Sequence, residues 1–239
     1  MSPAVAVVGP GAIGTTVAAA LHQAGRTPVL CGRTARDHLE LTGTEGRSVV
    51  VPGPVRIDPT LPVEKVDLVL LTVKATQVEA AAPWLAALCG PGTVVCVLQN
   101  GVEQVAAVAP HVPGSPVVPS VVWFPAQAQP DGSVWLRSAA RLTVPGTAAG
   151  QTVHAALDGT FCEVQLVTDF VSVAWRKLLQ NAAAGLMVLT GRRSGMFARD
   201  DIARLALDYL HECLAVARAE GAVLGDAVPQ EIVDGFRAS

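Results

Sequence analysis

The 239-residue sequence has few charged side chains, no long apolar run and no cluster of basic residues. Charged residues make up 15% of it and hydrophobic residues 51%, yet no apolar run reaches the roughly 18 residues that a membrane-spanning helix needs. No basic region precedes an apolar stretch at the N-terminus, so no secretory signal is expected. A net charge of −3 argues against a nucleic-acid partner. We therefore expect a cytoplasmic globular protein with no membrane partner.

Cysteine and histidine are also sparse, with five of each, and neither shows a functional spacing. The cysteines are Cys31, Cys89, Cys96, Cys162 and Cys213. None forms a C-x-x-C pair and most lie in apolar segments, so we interpret them as reduced thiols of the core. The histidines are dispersed, without the spacing of metal ligands, and no metal site is predicted.

A strand, a glycine-rich turn and a helix are predicted at the N-terminus. Residues 4–8 are apolar and β-branched, as in a strand buried on both faces, and residues 15–25 are typical of a helix closed by glycine. Between them, Gly9 suits a tight turn, Gly11 lets backbone approach a pyrophosphate, and Gly14 allows close packing of the helix on the sheet. The N–H groups of the helix N-terminus favour phosphate. The predicted dinucleotide-binding residues of this turn are Gly9, Pro10, Gly11, Ala12, Ile13 and Gly14.

The second predicted strand, residues 27–33, indicates which dinucleotide is bound. A site for NAD usually carries Asp or Glu about 20 residues past the glycines, where it binds the ribose 2′-hydroxyl. Here that strand ends in Gly32 and Arg33, with Arg36 three residues further on. A guanidinium at this place suits a 2′-phosphate, so we expect NADPH as the cofactor. The alternative is a solvated loop arginine.

The rest of the first half alternates between strands and helices. Residues 66–73 and 93–98 are typical of buried strands and flank a predicted helix over residues 76–88. This βαβ order predicts a parallel, doubly wound sheet of the Rossmann type, in the α/β class. Residues 47–51 and 55–57 are expected to form short strands on an insertion.

The pattern changes from about residue 117. Residues 117–124 and 133–144 flank the turn Pro130-Asp131-Gly132, which predicts an antiparallel hairpin appended to the sheet. After Asp169, which is suited to cap a helix, one helix is expected to Ala184 and a second over residues 200–221.

We place a domain boundary near residue 168. It separates an NADP-binding Rossmann-type domain, residues 1–168, from a helical substrate or dimerisation domain, residues 169–239. The sequence does not decide between a monomer and a homodimer.

Two polar residues follow the predicted buried strands at the edge where parallel sheets bind ligands. Lys74 comes directly after residues 66–73, and its alternative role is that of a solvated lysine that starts a helix. Asn100 follows residues 93–98 and precedes Gly101, a pair that is also typical of a plain turn.

Lys177 and Asn181 are four residues apart and share one face of the predicted helix. The adjacent stripe, which includes Leu178, is apolar, so the pair suits a dry edge of a cleft. A lysine there can donate a proton to an oxygen that gains charge, and Asn181 can orient the same oxygen. A solvated lysine beside an exposed asparagine is the alternative.

Taken together, the sequence resembles the ketopantoate reductase (2-dehydropantoate 2-reductase) family along essentially its whole length. The matching residues are Gly9-x-Gly-Ala-x-Gly14, Arg33, Thr72-Val73-Lys74-Ala75-x-Gln77, Asn100-Gly101 and Trp175-Arg176-Lys177-x-x-x-Asn181. The resemblance implies NADPH-dependent reduction of a 2-oxo acid, ketopantoate, to a 2-hydroxy acid in pantothenate biosynthesis. In it, Lys177 is the proton donor, assisted by Asn181 and Asn100, and Lys74 and Asn100 line the cofactor side.

Two departures from the family weaken the substrate assignment. Members commonly carry a second asparagine four residues after the one matched by Asn181, and here that position is Gly185. Members also usually continue for about sixty further residues of helix beyond the position that matches Ser239. Those residues include a serine and a glutamate that bind substrate, so the helical domain is expected to be truncated. The alternative function is that of a non-catalytic NADP(H)-binding protein, regulatory or degenerate.

Overall fold

The computed structural model describes residues 3–238, which divide after Thr168 into two compact units. In chain order the strands are β1 (Val5–Val8), β2 (Val29–Cys31), β3 (His38–Thr42), β4 (Ser48–Pro52), β5 (Leu68–Leu71), β6 (Val94–Val97), β7 (Val117–Pro119), β8 (Val121–Val122), β9 (Ala126–Ala128), β10 (Val134–Leu136), β11 (Ala140–Pro145) and β12 (Cys162–Val167). The helices are α1 (Ala12–Gln23), α2 (Val78–Leu88), α3 (Gln104–Val108), α4 (Ala148–Leu157), α5 (Phe170–Thr190), α6 (Asp200–Ala219) and α7 (Val228–Arg237).

The first unit is built on a parallel five-stranded sheet with the strand order β2-β1-β5-β6-β7. Its strands are buried on both faces because their side chains alternate between two apolar layers. Val5 and Val7 belong to the layer that contains residues of α1, and Ala6 and Val8 to the layer that contains Trp84 of α2. The predicted α/β class with a Rossmann-type sheet is confirmed.

A second sheet combines β3 and β4, which lie between β2 and β5 in the chain, with the later strands β9 and β10. It has the order β4-β3-β10-β9, and β3 and β4 pair antiparallel. The strand expected over residues 47–51 is present as β4. The strand expected over residues 55–57 is wrong, since this segment contributes only an isolated parallel bridge between Arg56 and Cys31.

Antiparallel pairing between residues 117–124 and 133–144 is present in part, but these segments do not form one continuous hairpin. Strand β7 joins the main sheet in parallel, while β8 pairs antiparallel with β11 in a third sheet, β12-β11-β8. A smaller hairpin does surround the Pro130-Asp131-Gly132 turn, between β9 and β10. Proline has no N–H to give to a ladder, so Pro119 and Pro125 divide this segment into short strands that pair with different sheets.

The second unit is helical, and its core includes Leu179, Phe197, Leu210 and Val233. The carboxylate of Asp169 accepts the Ser172 N–H at 3.0 Å and caps α5, as expected from the sequence. The helix extends past the expected end at Ala184 and closes with a left-handed glycine after Thr190. Helix α6 matches the second expected helix, and α7 was not expected. Among residues 3–238, no helix is both long and apolar enough to cross a membrane.

Candidate functional site

The turn between β1 and α1 packs so closely on the end of β5 that two of its glycines have no room for a side chain. Gly9 has φ +87°, and a Cβ there would collide with the Val73 side chain. A Cβ on Gly14 would lie 2.5 Å from Oγ1 of Thr72 and 2.9 Å from the Gly9 carbonyl oxygen. Glycine at both positions therefore allows the turn to lie directly against the neighbouring strand end.

Gly11 differs from these two glycines because the space around it is open. Among the described residues, the one heavy atom within 4 Å of an ideal Cβ at Gly11 is the Gly9 carbonyl oxygen, at 3.9 Å. Gly11 is exposed, and its carbonyl accepts the first bond of α1, from the Thr15 N–H at 2.8 Å. The N–H groups of Ala12, Ile13 and Gly14 precede that bond, so they have no acceptor within the helix. This geometry fits the pyrophosphate of a dinucleotide, because oxygen atoms can approach bare backbone there.

Side-chain hydrogen bonds connect the strand ends around the turn. Oγ1 of Thr72 donates to the carbonyls of Gly9 and Val8, at 2.7 and 3.1 Å. Nε2 of Gln99 donates to the Val73 carbonyl at 2.9 Å. The ends of β1, β5 and β6 are thereby fixed to one another at one edge of the sheet.

Gln104 extends this set of hydrogen bonds, and the sequence analysis did not identify it. Its buried Nε2 donates to the carbonyls of Gln99 and Gly101, at 3.0 and 2.8 Å, so it closes the loop that carries Asn100. A glutamine seven residues beyond the end of β6 has no pattern that marks it in a single sequence. Its role is visible only once the loop is folded.

Four of the predicted site elements lie at this same sheet edge. The glycine-rich turn follows β1, Arg33 follows β2, Lys74 follows β5 and Asn100 follows β6. Arg33, Lys74 and Asn100 are all exposed. The backbone N–H of Lys74 donates to Oε1 of Gln77 at 3.2 Å, at the start of a short 3₁₀ turn. The edge therefore combines bare backbone donors, two cationic side chains and one amide.

The other two predicted residues lie on α5 in the second unit. Lys177 and Asn181 are both half-buried and one helical turn apart, while Leu179 and Ala183 of the same helix are buried in the core. Burial lowers the pKa of Lys177 below its usual range, because desolvation disfavours the charged ammonium. A lysine with a lowered pKa releases its proton more readily than a solvated one, which suits a general acid.

Gly185 lies one further turn along α5 and is exposed. Among residues 3–238, no heavy atom lies within 4 Å of an ideal Cβ at this position. A glycine within a helix costs about 1 kcal/mol relative to alanine, and no close contact here requires it. Nothing in the structure explains this glycine.

The comparisons with known proteins agree with one another. The family model described as Ketopantoate reductase PanE/ApbA matches residues 5–149. A protein of Mycobacterium tuberculosis H37Rv named 2-dehydropantoate 2-reductase is 54% identical over 239 residues, which are all of this chain and 81% of that protein. One of the same name from Caulobacter vibrioides is 36% identical over 236 residues, 98% of this chain and 81% of the relative.

A solved structure has the same architecture. The crystal structure of a PanE/ApbA family ketopantoate reductase from Ralstonia eutropha JMP134 matches with a TM-score of 0.83 at 28% identity. The match covers 95% of this chain and 78% of that one. The sheet and helices described above are therefore those of this structural family.

Gly11→Ala tests the phosphate-binding turn without disturbing the fold. Since Gly11 has φ −79° and open space around it, the melting temperature should be unchanged within a few degrees. The added methyl occupies the approach of the pyrophosphate, so NADPH and NADH should both bind about ten- to a hundredfold more weakly, the effect of losing one charged hydrogen bond. Isothermal titration calorimetry with both cofactors measures this. Gly235→Ala in α7, also with open space around it in the described chain, is the matched control, and equal cofactor affinities in the two variants would refute the site.

Proposed function

The chain belongs to the ketopantoate reductase PanE/ApbA family, and from that premise we propose that it reduces 2-dehydropantoate, a 2-oxo acid, to pantoate with NADPH. The observation that carries the proposal is the 54% identity to the M. tuberculosis 2-dehydropantoate 2-reductase along the whole of this chain. The turn at Gly9–Gly14 supports it independently, because it offers bare backbone where a dinucleotide would place its pyrophosphate.

In the proposed reaction, NADPH supplies a hydride to the keto carbon of the substrate. The C=O π-electron pair moves onto the oxygen, and Lys177 transfers its ammonium proton to that oxygen to give the 2-hydroxyl group. The amide of Asn181, one helical turn from Lys177, donates a hydrogen bond to the same oxygen and favours the developing charge. Asn100 offers a second amide from the end of β6, on the cofactor side.

Lysine suits this role because its charge also attracts the substrate carboxylate. The partial burial of Lys177 lowers its pKa, so the proton is given up more easily when the oxygen becomes basic. Arg33 is assigned to the ribose 2′-phosphate and Lys74 to the cofactor phosphates or the substrate carboxylate. In this proposal, residues 1–168 bind NADPH and residues 169–239 supply the proton donor.

The proposal also includes the cellular location and the oligomeric state of the protein. All five cysteines are free thiols, and three of them are buried, which suits the reducing conditions of the cytoplasm. The second unit also exposes Val188 and Leu189 at 84% and 83%, and adjacent apolar side chains of this kind are typical of subunit interfaces. We therefore include a cytoplasmic location and a homodimer in the proposal.

A spectrophotometric assay tests the activity directly. The purified chain should oxidise NADPH when ketopantoate is added, and should do so more slowly with 2-oxo acids that lack its hydroxymethyl group or its branched carbon. The absorbance at 340 nm is followed over a panel of such acids. Tight NADPH binding with no turnover on any of them would instead support the non-catalytic NADP(H)-binding function.

Lys177→Ala tests the proton donor. Loss of a general acid should lower kcat by about 10²–10⁴, with little change in the dissociation constant for NADPH. In the parent enzyme the reduction rate should fall as pH rises through the pKa of Lys177, which lies below the usual value for lysine, since the deprotonated amine has no proton to give. Lys65→Ala removes another lysine, one that contacts the Ala86 carbonyl, and is the control. Turnover of Lys177→Ala within a few-fold of that control would rule out the assigned role.

Arg33→Ala tests the cofactor preference. The variant loses a charge-assisted contact worth about 1.5–3 kcal/mol, so NADPH should bind roughly ten- to a hundredfold more weakly. NADH has no 2′-phosphate, and its affinity should stay within about twofold. Fluorescence titration of both cofactors measures the two constants. A parent protein that binds NADPH and NADH equally would contradict the assignment of Arg33.

A further inference from the structure

The loop that leaves β2 carries a second arginine, Arg36, whose backbone is held close to the nucleotide edge. The chain bends at residues 33–34 and returns toward β3. At the start of this loop, an ideal Cβ on Gly32 would lie 3.0 Å from Cδ of Pro10, so the loop begins in contact with the glycine-rich turn.

The segment Val55–Arg56 fixes both ends of this loop through its backbone. The Arg56 N–H donates to the Leu30 carbonyl, and the Arg56 carbonyl accepts the Gly32 N–H, at 2.8 and 2.9 Å. One residue earlier, the Val55 N–H donates to the Arg36 carbonyl at 2.8 Å. Arg36 is thereby joined to the end of β2 through two successive residues of one neighbouring segment.

A further contact keeps the position of Arg36 rigid. The Gly53 N–H donates to the carbonyl of Asp37 at 2.9 Å. The absence of a side chain at Gly53 is required here, since a Cβ would lie 2.5 Å from the Asp37 carbonyl oxygen and 2.9 Å from that of Arg36. This part of the loop is therefore held by four backbone hydrogen bonds and one close packing contact.

The side chains of Arg33 and Arg36 differ from the other arginines of the first unit. The other five arginines of this unit each have a partner. Arg26 donates to the Asp158 carbonyl, Arg47 pairs with the Glu45 carboxylate, and Arg56 donates to the Pro62 carbonyl. Arg137 donates to Oε1 of Gln127, and Arg141 lies over the Trp123 ring. Among residues 3–238, neither Arg33 nor Arg36 has a side-chain hydrogen bond or an ion pair.

Arg36 is moreover half-buried, whereas Arg33 is exposed. Because the Arg36 guanidinium has no acceptor in the described part of the protein, its N–H donors are available to an anion. Two guanidinium groups on one rigid loop also match a phosphate group, which offers three oxygens to planar donor forks.

We propose that Arg36 is a second guanidinium of the ribose 2′-phosphate site and, with Arg33, determines the preference for NADPH over NADH. This inference rests on the proposed NADPH-dependent function and adds a specificity residue to it. The backbone bonds from residues 53–56 position Arg36, and the phosphate dianion is the acceptor that its side chain otherwise lacks. Arg56 is not part of this 2′-phosphate site, since its side chain donates to the Pro62 carbonyl.

The test compares Arg36→Gln and Arg36→Lys with Arg47→Gln, which removes an exposed arginine from the same unit. Dissociation constants for NADPH and NADH are measured by calorimetry, together with those for adenosine 2′,5′-diphosphate and adenosine 5′-monophosphate, which differ only in the 2′-phosphate. Arg36→Gln should weaken the binding of NADPH and of the 2′,5′-diphosphate by about tenfold or more, with no change beyond twofold for NADH and the 5′-monophosphate. Arg36→Lys, which keeps the charge without the planar fork, should lie between the parent and Arg36→Gln. Arg47→Gln should behave as the parent does.

Other results overturn the inference in distinguishable ways. An unchanged NADPH affinity in Arg36→Gln excludes Arg36 from the site. An equal loss of NADPH and NADH assigns Arg36 to the structure of the loop instead of phosphate recognition, and thermal melting of both Arg36 variants reports that directly. If the parent chain reduces ketopantoate but binds NADPH and NADH equally, the 2′-phosphate site of Arg33 and Arg36 is refuted and the reductase function stands. If the parent chain binds neither cofactor, both the proposed function and this 2′-phosphate site are refuted.

Discussion

The close approach of the Gly9–Gly14 turn to the Thr72–Val73 segment is the constraint on which the first unit depends. It brings three strand ends together at one edge, since Gly9 donates to the Cys31 carbonyl at 2.8 Å and accepts from Thr72 at 2.7 Å. A side chain at Gly9 or Gly14 would separate β1 from β5 and move the N-terminus of α1. The placement of Arg33 and Lys74 follows from this contact, because each lies in the loop after a strand that the contact aligns. The bond from Gln99 to the Val73 carbonyl brings the loop that carries Asn100 to the same edge.

The parts of the fold that could be predicted are those in which local pattern and tertiary role agree. Strands β1, β5 and β6 are apolar runs buried on both faces, and the Gly-rich turn has few other conformations open to it. Strand β3 was missed although His38-Leu39-Glu40-Leu41-Thr42 alternates, because three of its five residues are polar and weaken the apolar pattern. Helix α4 and strand β12 were also missed, and the N-cap at Thr147, which accepts the Gly150 N–H at 3.1 Å, was the local signal.

The errors in the middle of the chain have a different origin. The turn at residues 130–132 was correctly interpreted, and β9 and β10 on either side of it pair with each other, yet β7, β8 and β11 of the same region belong to two other sheets. Which sheet a three-residue strand joins depends on partners far away in sequence, such as β3 for β10 and β6 for β7. In the same way, the side chains of the site could be found from residue type and position, but the bonds made by Thr72, Gln99 and Gln104 could not. Those bonds join residues that only the folded sheet brings together.

In the proposed reaction, the partial burial of Lys177 is a compromise that a proton donor to a carbonyl oxygen requires. A fully solvated lysine keeps a pKa near its usual value and is a weak acid at neutral pH. A fully buried lysine would lose its charge and would have no proton to give or charge to attract a carboxylate. On α5 the side chain is half-buried while its neighbours Leu179 and Ala183 anchor the helix in the core, so burial is set by the helix rather than by a flexible loop. The helix keeps the ammonium half-buried, and this desolvation lowers the pKa of Lys177.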